Sequence, residues 1–118
     1  MPKASFKQKG TSKYKSKRVT IDGITFDSKK EADYWIALNE CVKMGEIENL
    51  RRQERYLLIP KQDGERPVHY VADMAYYDRH SDKEIVVDVK SSFTRKLPAY
   101  IIKRKLMLYI HGIKVIEV

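Results

Sequence analysis

The alternation of apolar and polar positions changes several times along the chain, and each change predicts a separate element. Residues 19–26 place β-branched and aromatic side chains on both sides of an Asp-Gly dipeptide, which favours the tight turn of a hairpin. Residues 28–44 follow a helical period, with Ser28 and Glu31 spaced as a capping box and Gly45 after the last turn. The chain is therefore predicted to begin its fold with a hairpin and a helix.

Three strands are predicted next, at residues 50–59, 68–78 and 84–90, because these segments are rich in β-branched and aromatic residues and are separated by turn signals. Residues 98–111 return to a helical period, with proline in the first turn and glycine after the last. Residues 113–118 are predicted to form a last strand. This order of elements predicts an α/β fold with a small mixed sheet flanked by helices.

Each predicted helix carries an apolar stripe whose members recur at intervals of three and four residues. The stripes are Trp35, Leu38 and Val42 in the first helix, and Ile102, Leu106 and Tyr109 in the second. Glu31 continues the first stripe, so its carboxylate is expected to point along the core side of the helix and to assist a metal site. Its place in the capping box explains the same residue without chemistry, and both interpretations stay open.

Basic residues are concentrated at the two ends of the chain and acidic residues in its middle. Residues 1–18 hold seven basic and no acidic side chains, residues 19–88 hold ten basic and fifteen acidic, and residues 89–118 hold seven basic and one acidic. Residues 1–17 show no apolar period and are predicted to be a disordered basic arm, which leaves residues 18–118 as one domain. This segregation favours binding of a polyanion, with a merely solubilising basic surface as the simpler alternative.

The composition excludes several classes of protein. Apolar residues make up 42% and charged residues 34% of the chain, which is typical of a folded soluble domain and not of a membrane-spanning chain. The one cysteine, Cys41, permits no internal disulfide and fits a cytoplasmic location. The histidines have no zinc-like spacing to one another or to Cys41, which argues against a zinc finger or a histidine-metal nuclease.

Two aspartates lie inside predicted strands, where charged side chains are out of place. If a tight turn at His80-Ser81 joins the two strands, residue 79 faces residue 82, and the same register places Asp73 opposite Asp88. Like charges in that position are destabilising, and a divalent cation such as Mg²⁺ supplies a reason for them. Lys90 is expected on the same strand face as Asp88, beside an attacking water. The alternative is that both aspartates occupy frayed or exposed strand positions and that Lys90 is a salt-bridge partner.

Glu31 on the first helix, Asp73 on a strand and Asp88-Val89-Lys90 on the next strand resemble the motif of the PD-(D/E)XK, or restriction endonuclease-like, nuclease superfamily. The resemblance covers residues 19–118 and extends to the superfamily's αβββαβ core. It is closer to a phage-associated family of small proteins in that superfamily and more distant to RecU-type Holliday junction resolvases. One departure is that Ala72 stands where the motif's proline would be.

The resemblance implies a Mg²⁺-dependent endodeoxyribonuclease, with Mn²⁺ as a substitute metal. It implies metal ligands at Asp73, Asp88 and the Val89 carbonyl, with Glu31 assisting and Lys90 as the catalytic lysine. The implied substrate is branched or replicating phage DNA in recombination, in the host cytoplasm if the protein is phage-encoded. A resolvase-like activity further implies a homodimer, because resolvases cut paired strands.

Other basic and polar residues are candidates for DNA contact outside this motif. They are Lys13, Lys15, Lys17, Arg18, Gln53, Ser91, Arg95, Lys96, Lys103 and Arg104. An ordinary polar edge residue at position 53 and a solvated helix face at 103–104 are the alternatives. A non-catalytic DNA-binding protein on a nuclease-like fold is the main rival function, and a small RNA-associated basic protein is another.

Overall fold

The structure is a computed structural model, and it describes residues 17–118. The chain divides into two compact units. The first is Met1–Tyr34, of which residues 17–34 are described, and the second is Trp35–Val118. Because the boundary falls inside a helix, the single domain expected from the sequence stays a prediction. The predicted disordered arm lies outside the described residues except for its last position.

The first unit contains the predicted hairpin. Strand β1 (Val19–Ile21) pairs in antiparallel fashion with β2 (Ile24–Phe26). The turn residues Asp22 and Gly23 have φ angles of 50° and 80°. A two-residue hairpin turn with positive φ at both positions matches the right-handed twist of the strands, which is why an Asp-Gly dipeptide is favoured here. The hairpin prediction is confirmed.

Helix α1 (Lys29–Lys43) begins and ends at the predicted signals. The Ser28 hydroxyl accepts a hydrogen bond from the Glu31 backbone N–H at 3.1 Å, which is the N-terminal half of a capping box. Gly45 has a φ of 76° and donates its backbone N–H to the Val42 carbonyl at 3.0 Å. A left-handed residue at this position ends a helix at little steric cost when it is glycine.

The second unit contains a four-stranded sheet. Its strands are β3 (Ile47–Ile59), β4 (Val68–Asp78), β5 (Lys83–Asp88) and β6 (Ile116–Glu117), in that spatial order. The first three strands are antiparallel neighbours, and β6 pairs with β5 in parallel. The α/β class with a small mixed sheet is thereby confirmed.

Three strands differ in their bounds from the sequence prediction. Strand β3 starts at Ile47, three residues before the predicted position, and β5 ends at Asp88 instead of residue 90. The early end of β5 has a local cause, because the Val89 backbone N–H donates to a side-chain carboxylate and not to the strand ladder. Strand β6 is shorter than predicted because the Ile113 N–H bonds to the Met107 carbonyl at the preceding helix end.

Two helices connect β5 with β6. The short helix α2 (Ser92–Arg95) lies between the predicted strand and helix, where the sequence predicted no element. The Ser91 hydroxyl caps it by accepting the Thr94 N–H at 3.1 Å. Helix α3 (Pro98–His111) has the predicted bounds and ends at Gly112, whose φ is 69°. Helix α3 contacts β3 and β4.

The core of the second unit lies between α3 and the sheet. Its buried members are Leu58, Tyr70, Ala72, Ala75, Val86, Tyr100, Met107 and Val115. Ala72 and Ala75 both belong to this cluster although they are three residues apart on β4. The register shifts of the β3–β4 pairing lie outside the segment between them, at Glu48–Arg51 and Leu57–Ile59.

The predicted apolar stripes are partly wrong. On α3, Ile102 and Tyr109 are 58% and 86% exposed, whereas Tyr100 and Met107 are buried. The helix is apolar on most of its circumference, so its period could not select the face, and packing against the sheet does so instead. On α1, Val42 is exposed, while the rest of the predicted stripe is buried or half-buried.

Candidate functional site

The register of β4 and β5 brings the two strand aspartates together. The paired residues run from Asp78 with Lys83 to Met74 with Val87. One further step of the same register places Asp73 opposite Asp88, as the sequence predicted. The connecting turn spans residues 79–82 and is longer than the tight turn predicted, but the register is unchanged.

Asp73 and Asp88 bond to each other's strands through their side chains. The Asp88 Oδ1 accepts the Asp73 backbone N–H at 3.0 Å, and the Asp73 Oδ2 accepts the Val89 backbone N–H at 2.8 Å. Carboxylates therefore take the place of backbone carbonyls where the regular ladder stops. This arrangement fixes both carboxylates next to each other.

The Asp88 carboxylate is wholly buried, with 0% exposure. The Tyr70 hydroxyl donates a hydrogen bond to its Oδ2, and Tyr70 is itself 2% exposed. Burial raises the pKa of Asp88, and the nearby Lys90 ammonium opposes that rise. A buried carboxylate with so few compensating charges favours binding of a cation.

Lys90 lies two residues beyond the end of β5, and its sharing of one face with Asp88 stays a prediction. Its ammonium nevertheless lies 3.6 Å from the Asp88 Oδ1, and its side chain is only 21% exposed. The same Nζ is 5.3 Å from the centre of the Tyr100 ring, within the range of a cation–π contact. The lysine is therefore held beside the carboxylate pair.

Gln53 on β3 continues this polar row across the sheet. The paired residues on either side of it place Gln53 opposite Asp73. Gln53 has a φ of 51°, which is unusual for a non-glycine residue inside a strand. Its side chain is exposed. Such a backbone conformation is often retained at functional sites, which supports Gln53 as a candidate contact.

Glu117 extends the row on the other side, because β6 pairs it with Asp88. The Tyr100 hydroxyl donates to Glu117, and the Arg104 guanidinium lies 3.1 Å from the same carboxylate oxygen. These contacts, with the tyrosine first, outweigh burial and lower the pKa of Glu117. Arg95 lies 4.0 Å from the other oxygen.

Sequence reasoning missed Tyr70, Tyr100 and Glu117. Glu117 carried one usable signal, since it is the only acidic residue in 89–118 and lies between two apolar residues. The tyrosines carried none, because an aromatic residue in a strand or helix is usually explained by packing.

The predicted DNA contacts have several different environments. Lys13 and Lys15 lie outside the described residues, whereas Lys17 and Arg18 are exposed. The Ser91 hydroxyl caps α2, and Arg95 and Arg104 face Glu117, so these three have structural partners that the sequence did not indicate. Lys96 is exposed, and Lys103 is half-buried.

Glu31 belongs to the first unit and is 4% exposed. Its backbone N–H makes the capping contact with Ser28 described above. Burial of the side chain agrees with the expectation that it lies on the inner stripe of α1. A role for Glu31 in metal binding stays a prediction.

The donor set suits a hard divalent cation only in part. Within residues 17–118, no three His, Cys, Asp or Glu side chains are grouped so as to hold a metal ion. Two adjacent carboxylates remain, Asp73 and Asp88, with the Val89 carbonyl next along the chain. Carboxylate oxygens carry more than one lone pair, so the hydrogen bonds they accept leave capacity for a metal. Mg²⁺ commonly uses one or two carboxylates and keeps several waters, which this pair fits.

The described residues define a small α/β protein with a carboxylate pair, of which Asp88 is buried, and a lysine where the β4–β5 ladder stops. Residues 11–114 match the family model described as a protein of unknown function (DUF1064), and the chain belongs to this family. No curated protein and no solved structure gives a significant match. Within the described part of the chain, no helix is long and apolar enough to cross a membrane.

Proposed function

We propose that this protein is a metal-dependent endonuclease that hydrolyses DNA phosphodiester bonds on a PD-(D/E)XK-like core. The observation that carries the proposal is the buried Asp88 carboxylate, adjacent to Asp73 and 3.6 Å from the Lys90 ammonium. Two carboxylates opposite each other on a sheet repel one another, and burial adds a desolvation cost. A bound cation offsets both costs, which gives this arrangement a purpose.

Asp73, Asp88 and the Val89 carbonyl are the groups proposed to hold Mg²⁺, or Mn²⁺ in its place. When bound, the ion supplies Lewis-acid polarisation of a phosphate oxygen and a more acidic water. The Lys90 ammonium is positioned to stabilise negative charge that develops on the phosphate. The Tyr70 hydroxyl fixes the orientation of the Asp88 carboxylate. Glu31 is proposed to assist metal binding, as the superfamily resemblance implies.

The substrate and assembly are proposed from the superfamily resemblance. Branched or replicating phage DNA is the proposed substrate, with a resolvase-like homodimer as the active form. The basic residues near both ends of the chain support a polyanionic substrate, because they separate positive charge from the acidic middle. The proposed place of action is the cytoplasm, which is that of the host cell if the protein is phage-encoded.

A second candidate is DNA binding without cleavage. One observation favours it, namely that the carboxylates of Asp73 and Asp88 already accept hydrogen bonds from two backbone amides and Tyr70. In that case the pair serves to end the ladder between β4 and β5, and no metal is needed. The two candidates differ in whether Mg²⁺ produces strand breaks.

The test is cleavage of four-way junction, duplex and single-stranded DNA in Mg²⁺, Mn²⁺ or EDTA. We expect cleavage only with a metal, and we expect Asp88→Asn to lower the single-turnover rate by about 10²-fold or more because a contact at the developing charge is lost. DNA binding by this variant should persist. Asp63→Asn, which makes the same chemical change at an exposed turn residue, is the matched control. Equal cleavage by Asp88→Asn and the parent would refute the proposed site.

A further inference from the structure

A groove with a volume of about 390 Å³ lies between α3 and the segment that leads into β6. Its lining residues are Arg104, Lys105, Leu108, Lys114, Val115 and Glu117. Three of these six side chains are basic and one is acidic. The groove therefore gathers positive charge on one surface of the second unit.

The charges in the groove are not balanced. Glu117 already pairs with Arg104 at 3.1 Å and accepts the Tyr100 hydroxyl. Lys105 and Lys114 are exposed, and within residues 17–118 neither of them forms an ion pair. Two ammonium groups beside a guanidinium repel each other unless an anion lies between them. The groove is thus suited to a ligand with more than one negative charge.

The groove opens next to the candidate active site. Glu117 is the strand partner of Asp88 in the parallel pairing of β5 and β6. Neighbouring strands lie about 4.8 Å apart, so the groove begins one strand away from the carboxylate pair. A polymer with regularly spaced anionic groups can reach both places at once, whereas a single small anion cannot.

We propose that this groove binds backbone phosphates of the nucleic acid next to the phosphate at Asp73 and Asp88, a role that rests on the nuclease function proposed above. Lys105 and Lys114 contact the phosphates directly. Arg104 is a positioning residue, because its guanidinium holds Glu117 and lies 5.8 Å from the Tyr100 ring centre. The apolar side chains of the lining suit the carbon atoms of the sugars.

The proposal is tested by binding of a 30-base-pair DNA duplex at several salt concentrations. Each phosphate contact contributes about 0.9 to the slope of log affinity against log salt, so Lys105→Ala/Lys114→Ala should lower the slope by up to about 1.8. Lys61→Ala/Lys83→Ala removes the same charge from two exposed lysines outside the groove and should leave the slope nearly unchanged. The charge-preserving variant Lys105→Arg/Lys114→Arg should retain the slope. Thermal unfolding of all four proteins verifies that they are folded.

Each outcome decides for or against the groove. An unchanged slope in the Lys105→Ala/Lys114→Ala variant, or an equal fall in the Lys61→Ala/Lys83→Ala control, would overturn the proposal, as would a wild-type protein that does not bind the duplex at 50 mM salt. Cleavage is measured separately on the same duplex with Mg²⁺. A wild-type protein that binds with the groove-dependent slope but does not cut would refute the nuclease function and leave the groove as a DNA-binding site.

Discussion

The Tyr70 hydroxyl donates a hydrogen bond to the Asp88 carboxylate, and both side chains are almost wholly excluded from solvent. Tyr70 lies on β4 and Asp88 at the end of β5, so the contact joins two strands at the point where their ladder stops. A buried charge needs every hydrogen bond it can accept. The tyrosine thus stabilises the site and fixes the direction of one carboxylate oxygen.

Tyr70→Phe removes this hydroxyl while preserving the shape of the ring. Because a buried acceptor then loses its donor, the free energy of unfolding should fall by about 1–3 kcal/mol in metal-free buffer. Cleavage should also slow, with DNA affinity unchanged, if Asp88 is a metal ligand. Chemical denaturation and single-turnover kinetics measure the two effects.

Tyr109→Phe is the control for that change. Tyr109 is 86% exposed, so its hydroxyl group is hydrated before and after unfolding. Removal of an exposed hydroxyl should change the free energy of unfolding by no more than about 0.5 kcal/mol. If the two phenylalanine variants were equally stable, the contact with Asp88 would contribute nothing measurable.

A pH effect is expected from Glu84, which forms a second polar cluster on the sheet. Its carboxylate accepts hydrogen bonds from Arg51 at 2.5 Å and from the Tyr56 hydroxyl at 2.7 Å. Burial alone would raise the pKa of Glu84, but these two donors outweigh it and lower the pKa. Because the folded protein then binds the proton more weakly than the unfolded chain, this group stabilises the fold above its unfolded pKa.

Glu84→Gln should remove that stabilisation. For a pair this accessible to solvent, the loss at pH 7 should be about 1 kcal/mol. The difference in free energy of unfolding between parent and variant should shrink as the pH falls below about 4.3, the ordinary value for glutamate, and through the lowered pKa. Glu48→Gln removes the carboxylate of an exposed ion pair with Arg79 and should change the free energy of unfolding at pH 7 by no more than about 0.5 kcal/mol. A difference that grew toward acid pH would contradict the assigned direction of the shift.

Local sequence signals were sufficient for the strands that carry the candidate site. The predicted bounds of β4 agree with the structure, and the offset between Asp73 and Asp88 follows from where β4 and β5 are joined. The turn includes one more residue from each strand than predicted, and this symmetrical change leaves the offset between the strands unaltered. Capping and glycine signals similarly fixed the ends of α1 and α3.

The remaining parts of the site depend on contacts between distant segments. Glu117 lies beside Asp88 only because β6 pairs in parallel with β5, and no local pattern specifies that pairing. Tyr100 is buried because α3 turns that side toward the sheet, while its equally apolar neighbour Ile102 remains exposed. Strand β5 ends before Lys90, the last residue of the predicted strand, because the Asp73 carboxylate accepts the Val89 N–H. The period of apolar residues in a sequence does not show where a side-chain carboxylate replaces a backbone carbonyl as hydrogen-bond acceptor.

Glu31→Gln separates the two interpretations of the buried helix glutamate. Glutamine retains a side chain able to complete the capping box, so a purely structural residue should leave the melting temperature and the cleavage rate nearly unchanged. A metal-assisting residue should lose cleavage at an unshifted melting temperature. Ser28→Ala is the complementary variant, because it removes the acceptor of the Glu31 N–H and should lower stability by about 1 kcal/mol. Normal cleavage by Glu31→Gln would assign the residue to the helix cap.

Residues 1–18 carry seven positive charges and no acidic residue, and six of these charges are the lysines of the basic arm, residues 1–17. If the arm lies along DNA phosphates, each contact steepens the log–log salt dependence of affinity by about 0.9, and six contacts set a ceiling of about 5. A segment with this composition does not engage every lysine at once. Deletion of residues 2–17 should therefore lower the slope by about 2–4 and weaken binding to all sequences alike.

Cleavage chemistry should survive the same deletion, because the proposed metal ligands lie within residues 31–90 and the arm offers no carboxylate. The measurement is single-turnover cleavage at saturating DNA, run beside the salt titration on the full chain and the shortened one. Saturation matters, since it removes the expected loss of affinity from the comparison and leaves the chemical step. An unchanged salt slope would mean that the arm does not contact DNA. Abolished cleavage at saturation would mean that the arm helps to build the active site.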